Sequence, residues 1–167
     1  MARVIRILGI DPGLRITGYA VIEAHADAAV LAEAGVIRGG TGKLDERLRT
    51  LHEGLLEIID QYRPFALAIE QLYAHYKHPR TAIIMGHARG VMILAAAVKN
   101  VPTYSYSATM IKKMITGAGR ASKDQIQRTI AQEMGLAEPP QPPDVADALA
   151  VALCHFHASR RETNDRP

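Results

Sequence analysis

The chain has a single cysteine, Cys154, which excludes an intrachain disulfide and any cysteine-cluster metal site. It falls inside an apolar helical run and is expected to pack as a buried side chain. No apolar run approaches the roughly 20 residues of a membrane-spanning helix, and Met1-Ala2-Arg3 leads into a strand where a signal peptide would have its apolar core. A cytosolic protein with no membrane partner is expected. Neither an internal repeat nor a low-complexity segment occurs, and no P-loop or Ser-His-Asp order competes for chemistry. Acids, too, are nearly missing from one third of the chain. Residues 73–128 hold 9 Lys/Arg against 1 Asp/Glu, whereas residues 1–72 hold 8 against 10 and residues 129–167 hold 3 against 6. A basic block between two acid-bearing segments predicts a polyanionic partner. The alternative is an ordinary solvated surface.

At 167 residues and 48% hydrophobic content, the chain has the length for one domain with a sizeable core. Residues 4–10 read as a strand buried on both faces, and residues 17–24 and 29–38 as two more in an antiparallel meander. Leu48, Leu51, Leu55, Ile58, Ile59 and Tyr62 recur at helical spacing across residues 44–62. Pro64 and a strand over residues 65–70 follow, so strand, helix and strand form a crossover that lays the later strand parallel in the sheet. A small-residue-rich helix over residues 81–99, a short strand at 103–107 and a short helix containing Lys112 and Lys113 come next. Ser122 with Gln125 forms a capping box for another helix to Met134. The last helix is expected over residues 144–158. The reading is an α/β fold, a mixed five-stranded sheet flanked by helices on both faces, with one domain over residues 1–159 and a flexible tail over 160–167.

Chemistry concentrates in carboxylates. The apolar run Ile7-Leu8-Gly9-Ile10 ends on Asp11, and Pro12-Gly13 stops the strand there. A second run, Phe65 to Ile69, ends the same way on Glu70. Open α/β sheets bind ligands at such carboxyl ends, and an acid closing a buried strand is costly unless it is paired or holds a metal. Asp144 and Asp147 are three residues apart and share a helical face with Ala148, Val151 and Ala152. Taken alone, that pair reads as helix capping. Together with Asp11 and Glu70 it predicts a site for Mg2+, a hard cation that takes oxygen ligands. Four carboxylates suit two ions about 3.5 to 4 Å apart, one activating water and the other stabilising the leaving oxygen of a phosphodiester. Mn2+ is an expected substitute.

The loop after Glu70 mixes Tyr73, Tyr76, Lys77 and Arg80. Alone it reads as an exposed loop. Beside Glu70, it offers stacking on unpaired bases together with phosphate contacts. His75 and His78 lack a third ligand for zinc. His155 is expected to be packed and hydrogen-bonded, and Arg89 to support the fold or an interface.

The motifs Gly-Ile-Asp-Pro-Gly at 9–13, Ile-Glu-Gln at 69–71, Gly-His-Ala-Arg-Gly at 86–90 and Asp-Val-Ala-Asp-Ala-Leu-Ala at 144–150 resemble those of the bacterial RuvC Holliday junction resolvases, in order and over nearly the whole chain. The resemblance implies a ribonuclease H-like fold, a homodimer, a branch-migration motor as partner, and Mg2+-dependent paired nicking of four-way junction DNA. By the match, Asp11, Glu70, Asp144 and Asp147 are the metal-binding catalytic acids. Tyr73 stands where the family usually has a stacking phenylalanine. The family's basic DNA contacts map onto Lys112, Lys113 and Lys123. Arg120, Lys77 and Arg80 join them as expected phosphate contacts.

Three rivals have distinct signatures. An actin-like or sugar-kinase lobe shares the early Asp-x-Gly pattern but needs two lobes. A non-catalytic junction-binding module would need only the basic block. A ribonuclease H-like nuclease for another nucleic acid would keep the acids. For a homodimer, the expected patch lies on the helix at 81–99, with Gly86, Ala88, Gly90 and Ala95 allowing close approach and Ile83, Ile84, Met85, Met92 and Ile93 supplying apolar area.

Overall fold

The computed structural model describes residues 4–72 and 77–164. Its elements run β1 (Ile5–Asp11), β2 (Ile16–Ala24), β3 (Ala29–Arg38), α1 (Leu44–Tyr62), β4 (Ala66–Glu70), α2 (Pro79–Val98), β5 (Thr103–Tyr106), α3 (Ala108–Thr116), α4 (Lys123–Glu133) and α5 (Pro143–Asn164). One five-stranded sheet has the order β3-β2-β1-β4-β5. β1 to β3 form the expected antiparallel meander. The crossover through α1 lays β4 parallel to β1, and β5 is parallel to β4.

Strand alternation divides the core into two layers. Leu8, Ile10, Val21, Leu67 and Ile69 face α1 and α2. Ile7, Ala20, Ile22 and Ala68 face α5, α3 and α4. The helices thus cover both faces of the sheet. Burying these aliphatic side chains stabilises by about 1.5–3 kcal/mol each, so a register slip of one residue would cost many of them at once.

α5 lies unusually close to the sheet because glycines sit under it. A side chain at Gly9 would run into Ala152 and the Ala148 backbone, and one at Gly18 would run into the Asp144 backbone. Gly18 pairs with Asp11 in the β1–β2 register. The start of α5 is therefore held directly above the carboxyl end of β1. Further along α5, Cys154 is buried and its thiol is pushed up to about 12 by desolvation, which leaves it inert at neutral pH. His155 is buried and hydrogen-bonded through Nδ1 to the Tyr106 hydroxyl at 2.7 Å, as expected of a packed histidine.

Three expectations need correction. α5 continues to Asn164, so residues 160–164 are helical where a tail was expected; Arg160 anchors this end, 3.3 Å from Asp27 Oδ1 and over the Phe156 ring. α2 is long and apolar enough to span a membrane by length and composition, because its two arginines are outnumbered by isoleucine, leucine, valine, alanine and methionine. It instead seats Ala88, Met92, Ala95 and Ala96 against the sheet. Those same residues are consequently unavailable to the interface patch, which had included Ala88, Ala95 and Met92.

Candidate metal and nucleic-acid site

The two-residue period of β1 carries Ile7, Gly9 and then Asp11 towards the α5 face. In β4, Ala68 faces the same way and Glu70 follows it. The parallel register pairs Ile10 with Ile69, so Asp11 and Glu70 close neighbouring strands side by side. The first two turns of α5 add Asp144 and Asp147 above them. Three elements distant in sequence thus deliver carboxylates to one place, as expected.

The electrostatics record this crowding. Burial pushes the Asp11 carboxyl up to about 7, and the charges of Asp147, Glu70 and Asp144 push in the same direction while Lys123 opposes them. Glu70 is also raised, first by burial and then by Asp147, with Lys112 and Lys123 acting against the rise. A carboxylate partly buried among like charges favours its protonated form unless a cation offsets them. The all-oxygen, anionic donor set suits a hard divalent ion. Among the described residues, however, no three acids, histidines or cysteines are close enough to cage one ion as they stand. Lys123 Nζ lies 2.9 Å from Asp147 Oδ2, so one of the four acids is already paired with an ammonium.

The cations around the acids come from the basic block. Lys112 of α3 and Lys123 at the start of α4 line a cavity of about 300 Å³ together with Glu70 and Asp147. The other side of Glu70 opens into a second cavity of about 560 Å³, lined by Asp11, Gln71, Met85 and Thr109. Lys113 and Arg120 are exposed and line neither of these cavities, whereas Lys112 and Lys123 share one with Glu70 and Asp147. Lys77 and Arg80 are exposed at the start of α2. Tyr73, His75 and Tyr76 lie outside the described residues.

Arg89 has a role that sequence reasoning left undecided. Its Nε donates to the Glu70 carbonyl oxygen at 3.1 Å, and Nη2 donates to Ser105 Oγ at 2.7 Å. It ties the last carbonyl of β4 to β5 from α2, which fixes the backbone that carries the Glu70 carboxylate. The Gly-His-Ala-Arg-Gly motif was the available signal: a charge among small residues on a helix seated on the sheet.

The model of the crossover junction endodeoxyribonuclease RuvC family matches residues 7–155. The crossover junction endodeoxyribonuclease of Rhodopirellula baltica is 51% identical over 155 residues, covering 92% of this chain and 87% of that protein. The Thermus thermophilus RuvC structure superposes with a TM-score of 0.88 at 31% identity over 95% of this chain and 98% of that one. The structure of T. thermophilus RuvC in complex with Holliday junction substrate gives 0.89 at 32% identity, over 95% and 97%. Match length, identity and fold agree, and the chain belongs to the RuvC family of crossover junction endodeoxyribonucleases.

Proposed function

We propose that this chain is a structure-selective, metal-dependent DNA endonuclease that resolves four-way (Holliday) junctions by paired symmetric nicks during recombination and repair. The observation that carries the reading is the convergence of Asp11, Glu70, Asp144 and Asp147 from three separate elements, with the Asp11 carboxyl pushed up to about 7 by burial and by the other three. These four are the catalytic acids and the metal ligands. Mg2+ fits the oxygen donors, four carboxylates suit two ions, and Mn2+ is the natural substitute. When bound, such a cation lowers the pKa of a water and neutralises charge developing on the phosphoryl oxygens.

The chain's own residues supply the rest. Asp11 and Glu70, set side by side by the β1–β4 register, hold the cation against the α5 pair. Lys112 and Lys123 border the cavity beside Glu70 and offer donors to the phosphate flanking the scissile one. In the hydrolysis itself a water oxygen bonds to phosphorus as the phosphorus–oxygen bond to the leaving strand breaks. Tyr73, Lys77, Arg80, Lys113 and Arg120 extend the DNA contact around the site.

Two symmetric cuts require two sites. A C2 homodimer supplies them with one self-complementary surface, and α2 offers exposed Ile83, Leu94 and Val98 for it. The nuclease unit comprises at least residues 1–159 and works in the cytoplasm beside a branch-migration motor. The test is cleavage of a synthetic four-way junction with Mg2+, against linear duplex of the same sequence. Paired nicks confined to the junction are expected. Cleavage of both substrates alike would overturn the junction reading, and tight junction binding with no cleavage in any divalent metal would favour a binding module.

A further inference from the structure

Two arginines outside the basic block share a concave surface that the proposed catalytic machinery does not use. Arg15 and Arg38, with Gly40 and Thr41, line a depression of about 390 Å³. Both side chains are exposed, and among the described residues neither guanidinium has a hydrogen-bond or ion-pair partner. The backbone that carries them is nevertheless fixed. Arg38 lies beside Ile16 in the β2–β3 register, and the Arg15 carbonyl accepts from Gly39 N at 3.0 Å. The turn leading to Arg15 is itself pinned, since the Thr17 hydroxyl donates to the Gly13 carbonyl at 2.8 Å. Gly40 takes a positive φ of 75°, and open space lies where its side chain would be.

Two like charges lining one depression repel one another, and among the described residues no carboxylate pairs with either. An external anion would. The platform also stands at the right end of the molecule. The turn that ends at Arg15 begins at Asp11, and the end of β3 that carries Arg38 lies at the same end of the sheet as Asp11. With strands about 4.8 Å apart, β3 is roughly 10 Å from β1. Successive phosphates of one strand rise about 3.4 Å along a duplex axis, so a backbone crossing the acids reaches this depression roughly three nucleotides further on.

We infer that Arg15 and Arg38 form a second phosphate-binding station, one that grips the backbone of a junction arm a few nucleotides beyond the cut and fixes the direction in which that arm leaves the acidic site. The inference rests on the junction-cutting reading. Guanidinium suits the role because its fork can take a phosphate in two parallel hydrogen bonds, and Thr41 adds a hydroxyl.

The experiment is a cycle between protein and DNA, read as junction affinity in an Asp11→Asn background without divalent metal. The variant Arg15→Ala/Arg38→Ala should bind roughly tenfold more weakly and lower the slope of log affinity against log salt by about two. Arg15→Lys/Arg38→Lys should recover part of the loss. Neutral methylphosphonates at arm positions two to four, about 10 Å from the cut at about 3.4 Å per phosphate, should weaken the unaltered protein by a similar factor and leave the alanine variant no weaker than before. An unchanged salt slope, or a methylphosphonate loss that is the same in both proteins, would overturn the station. Failure of the broader reading would look different, because the chain with Arg15 and Arg38 intact would then not prefer a four-way junction over duplex.

Discussion

Lys123 Nζ lies 2.9 Å from Asp147 Oδ2, so a residue expected to bind DNA phosphate is paired with one of the acids. Ammonium and divalent cation compete for the same carboxylate. The Lys123→Met variant should therefore bind Mn2+ more tightly in the absence of DNA, by up to about fivefold, because an exposed pair contributes about 0–1 kcal/mol. Paramagnetic titration of free Mn2+ measures this. Unchanged or weaker binding would mean that the lysine does not compete.

Asp11 ties stability to pH. Its carboxyl, at about 7 in the folded protein, sits well above its unfolded value of about 3.9. The folded state then holds a proton that the unfolded state has released, so this group's contribution to stability is full at pH 4 and is lost as pH rises through 7. Without metal, Asp11→Asn should gain about 1–2 kcal/mol at pH 8 and nothing near pH 4. Urea denaturation in a chelator at the two pH values checks the sign. The same variant should bind a junction and fail to cut it, since it loses a carboxylate and none of the basic surface.

Arg89 acts through the backbone of Glu70. Replacing it with Lys keeps the charge and loses the fork that bonds Glu70 and Ser105 together. Cleavage should fall about tenfold at low Mg2+ and recover at high Mg2+, because a loosened Glu70 weakens cation binding before anything else. A loss that no Mg2+ concentration relieves would argue against positioning.

Legibility in the sequence followed the physics of each element. Asp11 and Glu70 stand out because each ends a continuous apolar run buried on both faces, and the β1–β4 register sets the two side by side. The capping box at Ser122 was equally plain, and Ser122 Oγ does accept from Gln125 N. α2 was harder to read. Small and apolar residues surround it, so its pattern hardly distinguishes the seated side from the open one, and Ala88 and Met92 were assigned to the wrong side. The end of α5 was misjudged because its last turns are polar and are held by the long-range contact of Arg160 with Asp27. Arg89 was ambiguous because its partner is a backbone carbonyl, which leaves no trace in side-chain pattern.

The open side of α2 yields the last prediction. Ile83, His87, Gly90, Leu94 and Val98 recur every three or four residues, which places them along one stripe. Ile83, Leu94 and Val98 are 62%, 53% and 58% exposed, while Ala88, Met92 and Ala95 on the other side are buried. Gly90 has open space above it, so a second backbone can approach there. An exposed apolar stripe of this length on a helix suits pairing with its own copy about a twofold axis. The protein is thus expected to sediment as a dimer at micromolar concentration. Leu94→Glu would force a carboxylate into that contact at a cost of at least 2 kcal/mol, raising the dissociation constant about thirtyfold or more. The monomer so produced should still bind a junction weakly and should nick single strands without pairing the two cuts. If Leu94→Glu sediments as the unaltered protein does, the dimer does not form through this stripe.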